Sequence, residues 1–170
     1  MPRMQADPLG VYLNDHLTAA FAGAALADRM AGAHPDSRRA ELSRLARDIE
    51  HDRDFLVRTM RTLGVPVHRY RTWLGLAGER LGRLKPNGTL LRRSPLSDLV
   101  ELEALRTGVE GKAALWRALG ALAEADHRVD AEELKRMGDR AAEQARTLDG
   151  WHRQVSGAVL ADRPAVDAHR

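Results

Sequence analysis

The chain has 170 residues, 44% of them apolar and only 4% aromatic, with a net charge of +3. That length suits a single domain with a core of its own. The absence of cysteine excludes disulfides, zinc–thiolate sites and cysteine nucleophiles, and no stretch approaches the ~20 apolar residues of a membrane span.

A cysteine-free chain fits a reducing compartment. The first ten residues hold Arg3, Asp7 and two prolines but no apolar run, so they do not read as a signal peptide. Together these predict a cytoplasmic protein. The base is nearly all arginine, with Lys85, Lys112 and Lys135 the only lysines. So small a net charge, with so few aromatic rings for base stacking, argues against nucleic acid as a partner.

Four long helices are predicted. The first spans about 9–30, with Asp7 as its cap, Pro8 at its first position, and Gly32 and Pro35 as its stop. The second spans 36–63 and ends at Gly64 and Pro66; its apolar stripe is Leu42, Leu45, Ile49, Leu56, Met60 and Leu63. The third spans 95–123, opened by Ser94-Pro95, and can bury Leu99, Leu102, Leu105, Val109, Trp116, Leu119 and Leu122. The fourth starts near Asp130, with Glu133 three residues on as in a capping box, and frays near Gly157. Its stripe is Leu134, Met137, Ala141, Ala145, Leu148, His152 and Val155. Residues 161–170 form a polar tail.

The connections organise these helices. A few residues around His34 join the first pair, and a short turn at 125–129 joins the second, so each pair is an antiparallel hairpin. Between the pairs, residues 64–94 form a long crossover with a short amphipathic helix near 70–84 and a turn at Pro86-Asn87-Gly88. No repeat, strand periodicity or low-complexity tract interrupts the pattern. The expectation is one all-α domain over 1–160, a four-helix bundle of two hairpins and a crossover.

From Leu9 to Val159 this layout resembles the ferritin-like superfamily. The runs Tyr12-Leu13-Asn14-Asp15-His16-Leu17 and Leu99-Val100-Glu101-Leu102-Glu103 are similar to those of uncharacterised bacterial members. In metal-binding members one Glu projects from each of two helices and Glu-x-x-His from each of the other two. Carboxylates bridge two ions, and an imidazole one turn away completes each.

This chain departs from that pattern. Helix two offers Glu50-x-x-Arg53 and helix four Glu143-x-x-Arg146, and arginine has no lone pair to give a cation. Glu143 also falls opposite its helix's stripe. Helix one supplies Asp15 and His16 but no Glu; Glu103 and Glu110 of helix three flank their apolar arc. The expectation is the ferritin-like scaffold without its dimetal centre, hence no cofactor. The alternative is an iron or manganese site on His16, Glu50, Glu103 and Glu110.

Some polar residues fall on buried faces. His16 lies with Leu13, Leu17, Ala20 and Ala24, and reads as a core histidine before it reads as a ligand or base. Arg53 sits between Ile49 and Leu56, where it requires a carboxylate: Asp52, Glu103 or Glu110. The expected buried network is therefore His16, Asp52, Arg53, Glu103, Glu110 and Gln144, with Arg53 standing where a metal would. Lys112 lies in helix three's apolar arc and is expected to run its ammonium out to solvent. Ser94, Ser97 and Ser156 sit near helix ends, and no nucleophile–base set stands out.

The crossover is basic, with Arg69, Arg71, Arg80, Arg83, Arg92 and Arg93 beside Tyr70 and Trp73. Its apolar side is expected to cover the bundle and its arginines to face water; the alternative is an anionic surface as partner. The acidic turn at 125–130 lacks the alternating oxygens and central Gly of a calcium loop. The whole predicts a non-catalytic bundle acting as a structural or protein-interaction element, self-associating as a homodimer.

Overall fold

The computed structural model describes residues 7–34, 36–68 and 95–161. They form four α-helices and, among the described residues, no strand: α1 (Pro8–Ala33), α2 (Asp36–Thr62), α3 (Pro95–Ala123) and α4 (Ala131–Ala161). The predicted crossover helix at 70–84, the six basic residues from Arg69 to Arg93, the Ser94 cap and the tail beyond 161 lie outside the described residues.

Local chemistry sets the helix ends. The Asp7 carboxylate accepts from the Leu9 and Gly10 amides, both at 3.1 Å, satisfying two donors that the first turn of α1 leaves open. Asp130 does the same for the Glu133 amide at 3.1 Å, opening α4. The end of α2 is a Schellman closure. Gly64 takes φ +74°, Val65 N–H returns to Met60 O at 2.8 Å, and Gly64 N–H to Arg61 O at 3.1 Å. The fourth helix does not fray at Gly157 but continues to Ala161.

Contacts at the two ends fix how the hairpins pack. At one end Arg29 of α1 pairs with Glu101 of α3 at 2.8 Å, His34 meets Asp98 at 3.6 Å, and Arg38 of α2 reaches Gln154 of α4 at 3.1 Å. At the other, Arg128 in the α3–α4 turn donates to the Thr62 carbonyl at the end of α2, at 3.5 Å. So α1 runs antiparallel to α2 and α3, and α2 runs parallel to α3. The chain therefore leaves α2 at one end of the bundle and re-enters at α3 at the opposite end.

One continuous apolar core runs through all four helices. Leu13, Leu17, Ala27 and Met30 of α1 meet Leu42, Leu56 and Met60 of α2, Leu102, Leu115 and Leu119 of α3, and Leu134, Ala141 and Leu148 of α4. The stripe on α4 turns toward Trp151, which is buried, and leaves His152 and Val155 half-buried. The stripe on α2 passes through Asp52 and Phe55, both buried, rather than through Arg53.

Candidate functional site

The middle of the bundle holds a charged cluster contributed by three helices. Asp52 of α2 is 1% exposed. Lys112 Nζ of α3 lies 2.5 Å from Asp52 Oδ2 and 2.5 Å from Gln144 Oε1 of α4. The Arg140 guanidinium, also on α4, donates to Asp52 Oδ1. A carboxylate this deep is tolerable only with its lone pairs engaged, and two cations engage both oxygens. Burial is the largest influence on Lys112 and pushes its ammonium below the ordinary value; the charge and hydrogen bond of Asp52 oppose this, Arg140 adds to it, and Asp48 opposes it.

The expected internal network is corrected in most of its members. Asp52 and Gln144 are in the cluster, but Arg53 is not its cation. Arg53 turns along its own helix to Asp54 (2.9 Å) and Glu50 (3.9 Å), and its guanidinium lies 4.8 Å over the Phe21 ring. Glu103 and Glu110 are exposed: Glu103 pairs with His152 at 3.0 Å, Glu110 with Arg106 at 3.7 Å. Lys112 does not run its ammonium out to solvent; its stem packs as expected, but its ammonium turns inward to Asp52 and only 11% of the side chain is exposed. Arg140 was not singled out by the sequence pattern, and its place beside Met137 and Ala141 on the buried side of α4 is the signal that would have found it.

Ferritin-like metal chemistry needs carboxylates and imidazoles converging on one point. Here His16 is half-buried against Tyr12, with ring centroids 4.6 Å apart, and burial holds its imidazole below the usual value while Asp15 pulls the other way. Glu50, Glu103 and Glu110 each face a separate partner. No three His, Asp or Glu side chains among the described residues gather as a metal would require. The centre presents two cations to one carboxylate, a set that repels a metal ion. The donor set does not fit a dimetal centre.

Two cavities flank the cluster. One, of about 460 Å³, opens between α1 and α3 and reaches Ile49, Asp52 and Leu56 of α2; Lys112 and Trp116 also line it. It exists because small residues face each other across the seam: Ala19, Ala20 and Gly23 on α1, Ala104 and Gly108 on α3. The other, of about 340 Å³, lies between α2 and α4 and is charged, with Glu41, Arg44, Asp48, Arg140 and Glu143 in its walls. The Asp52–Lys112–Arg140–Gln144 cluster is the partition between them.

Two arrangements were not legible beforehand. Ser156 Oγ lies 3.4 Å from His152 Nδ1, and His152 Nε2 lies 3.0 Å from Glu103, a hydroxyl–imidazole–carboxylate chain on the α3–α4 surface. None of the three lines either cavity. Asn14, buried on α1, holds the segment after α2 by both ends of its amide. Its Nδ2 donates to Pro66 O at 3.0 Å and to Gly10 O at 2.8 Å, and its Oδ1 accepts from the His68 amide at 2.8 Å.

No family model, curated protein or solved structure matches the chain. None of the four helices is long and apolar enough, among the described residues, to cross a membrane.

Proposed function

We propose that this chain is a ferritin-like bundle that works without chemistry, as a structural or protein-interaction element of the cytoplasm. The observation that carries the reading is the central cluster: where a ferritin-like protein gathers metal ligands, Lys112 and Arg140 close on Asp52. A cation built into the protein neutralises the inward carboxylate and ties the two hairpins together without an exchangeable ion. The parallel run of α2 and α3, with the chain returning from one end of the bundle to the other, supports the ferritin-like topology.

Self-association as a homodimer belongs to the same proposal. Val100 on α3 and Leu160 on α4 are exposed at the same end of the antiparallel α3–α4 pair, an apolar feature that a second copy would cover. Elemental analysis of untagged protein, before and after incubation with iron, manganese and zinc, tests the first part; sedimentation velocity tests the second. The reading expects no stoichiometric metal, a melt unchanged by chelator, and a dimer. Stoichiometric metal lost on changing His16 or Glu103 to Ala would overturn it.

A further inference from the structure

We infer that the α1–α3 cavity binds a fatty carboxylate, with the head group on Lys112, beside Trp116, and the tail along the small-residue walls of α1 and α3. This goes beyond the non-catalytic reading and does not depend on the ferritin-like assignment. The cavity, at about 460 Å³, has the size of a small-molecule site. Its walls are chiefly apolar, which suits a hydrocarbon tail.

The polar end is specified by donors without acceptors. Trp116 is 2% exposed, lines the cavity, and its Nε1–H has no hydrogen-bond partner among the described residues. A lysine ammonium carries three donors. Lys112, also in the cavity wall, spends them on two acceptors, Asp52 and Gln144. Buried donors left over are costly, and a ligand that brings acceptors and no donors removes that cost.

Charge selects a carboxylate over a neutral acceptor. Lys112 and Arg140 are two positive charges on the single carboxylate of Asp52. Asp48 acts on Lys112 only through space, from the wall of the other cavity. Arg53 lines the same cavity but is already held by Asp54 and Glu50, which leaves Lys112 as the cation that a head group would meet.

Calorimetric titration of the full chain with dodecanoate, dodecanol and dodecyltrimethylammonium, each below its micelle concentration, tests the inference. Gly108 lines the cavity and a Cβ there would meet no atom within 4 Å, so Gly108→Leu places a side chain at its wall; Gly120, equally open and outside the cavity, gives the control Gly120→Leu. Both replace a helical glycine, so both variants should fold at least as stably as the parent. The expected result is saturable one-to-one binding of dodecanoate, at least about tenfold tighter than dodecanol, with no binding of the cationic amphiphile. Gly108→Leu abolishes it, Gly120→Leu leaves it intact, and Lys112→Met weakens it at least about tenfold.

Absence of saturable binding overturns the inference, as does dodecanoate binding that Gly108→Leu leaves unchanged. Equal binding of the cationic amphiphile removes the role given to Lys112. A melting temperature that falls in Gly108→Leu but not in Gly120→Leu would mean that the chain itself fills the cavity, which also overturns it.

Discussion

Changing Asp52 to Asn removes the carboxylate that Lys112 and Arg140 share, at almost no change in volume. The carboxamide oxygen can accept from one of them; its NH2 group meets the other as donor against donor. Asp52 is 1% exposed and the Lys112 side chain 11%, so water replaces little of what is lost. Two charge-assisted hydrogen bonds at about 1.5–3 kcal/mol each set the scale at roughly 3–6 kcal/mol. The charge part has a ceiling, because Lys112 can give up its proton instead of staying charged beside Arg140. From an ordinary value of 10.5, deprotonation at about pH 7 costs roughly 5 kcal/mol at most. The expected loss at about pH 7 is therefore about 3–5 kcal/mol.

The pH dependence carries the same argument. A lysine whose folded pKa is lowered holds fewer protons folded than unfolded, so stability rises with pH until the unfolded value is reached. In Asp52→Asn that rise approaches about 1.4 kcal/mol per pH unit between pH 7 and the ordinary lysine value of 10.5, steeper than in the parent chain. Urea denaturation followed by circular dichroism at about pH 7 and pH 9.5 measures both terms. Adding Lys112→Met to Asp52→Leu should recover most of the loss, because Arg140, 29% exposed, can turn to water. A loss below about 1 kcal/mol for Asp52→Asn, or one that does not change with pH, would refute the reasoning.

Three other outcomes are expected. Gly64→Ala forces a side chain into φ +74° and should cost about 1–2 kcal/mol by urea denaturation, seen chiefly as a shift in midpoint with unchanged slope. Asn14→Ala removes the amide that holds Pro66 and His68 and should cost about 1–3 kcal/mol, with hydrogen exchange at the His68 amide accelerated more than in the helices. The Arg128 guanidinium holds the Asp126 carboxyl at about 2 instead of 3.8. Its contribution is present above pH 3.8 and lost as pH falls through 2, so Asp126→Asn should flatten the acid side of the melting-temperature profile in that window.

What the sequence made legible was local. Asp7-Pro8, Gly64 and Asp130 mark helix ends because capping depends on residues within one turn, and the structure uses each as its local chemistry requires. The orientation of α2 was harder. Arg53 and Asp52 are one residue apart and so about 100° apart on the helix; the sparse stripe through Ile49 and Leu56 admits either at its centre. Phe55, a buried neighbour on the Asp52 side, was the unused indication.

The direction of Lys112 was not legible from α3 alone. A lysine in an apolar arc turns outward or inward according to what waits on the other side, and Asp52 arrives from the other hairpin, 60 residues away in sequence. Arg140 and Gln144 complete the site from a third helix. Such a cluster is specified by the packing of hairpins, to which the periodicity of a single helix is blind. The same holds for the α1–α3 cavity, which needs small residues on two helices to come opposite each other.

The measurement that bears most directly on the central claim is the titration of the lysine side chains by carbon-detected NMR at Cε. The chain has only Lys85, Lys112 and Lys135, so one substitution assigns the signal of Lys112. The account predicts that this signal titrates below the ordinary 10.5 and stays in place when iron, manganese or zinc is added. A Lys112 signal that titrates at the ordinary 10.5 would contradict it, because Lys112 would then lie in water rather than beside Asp52.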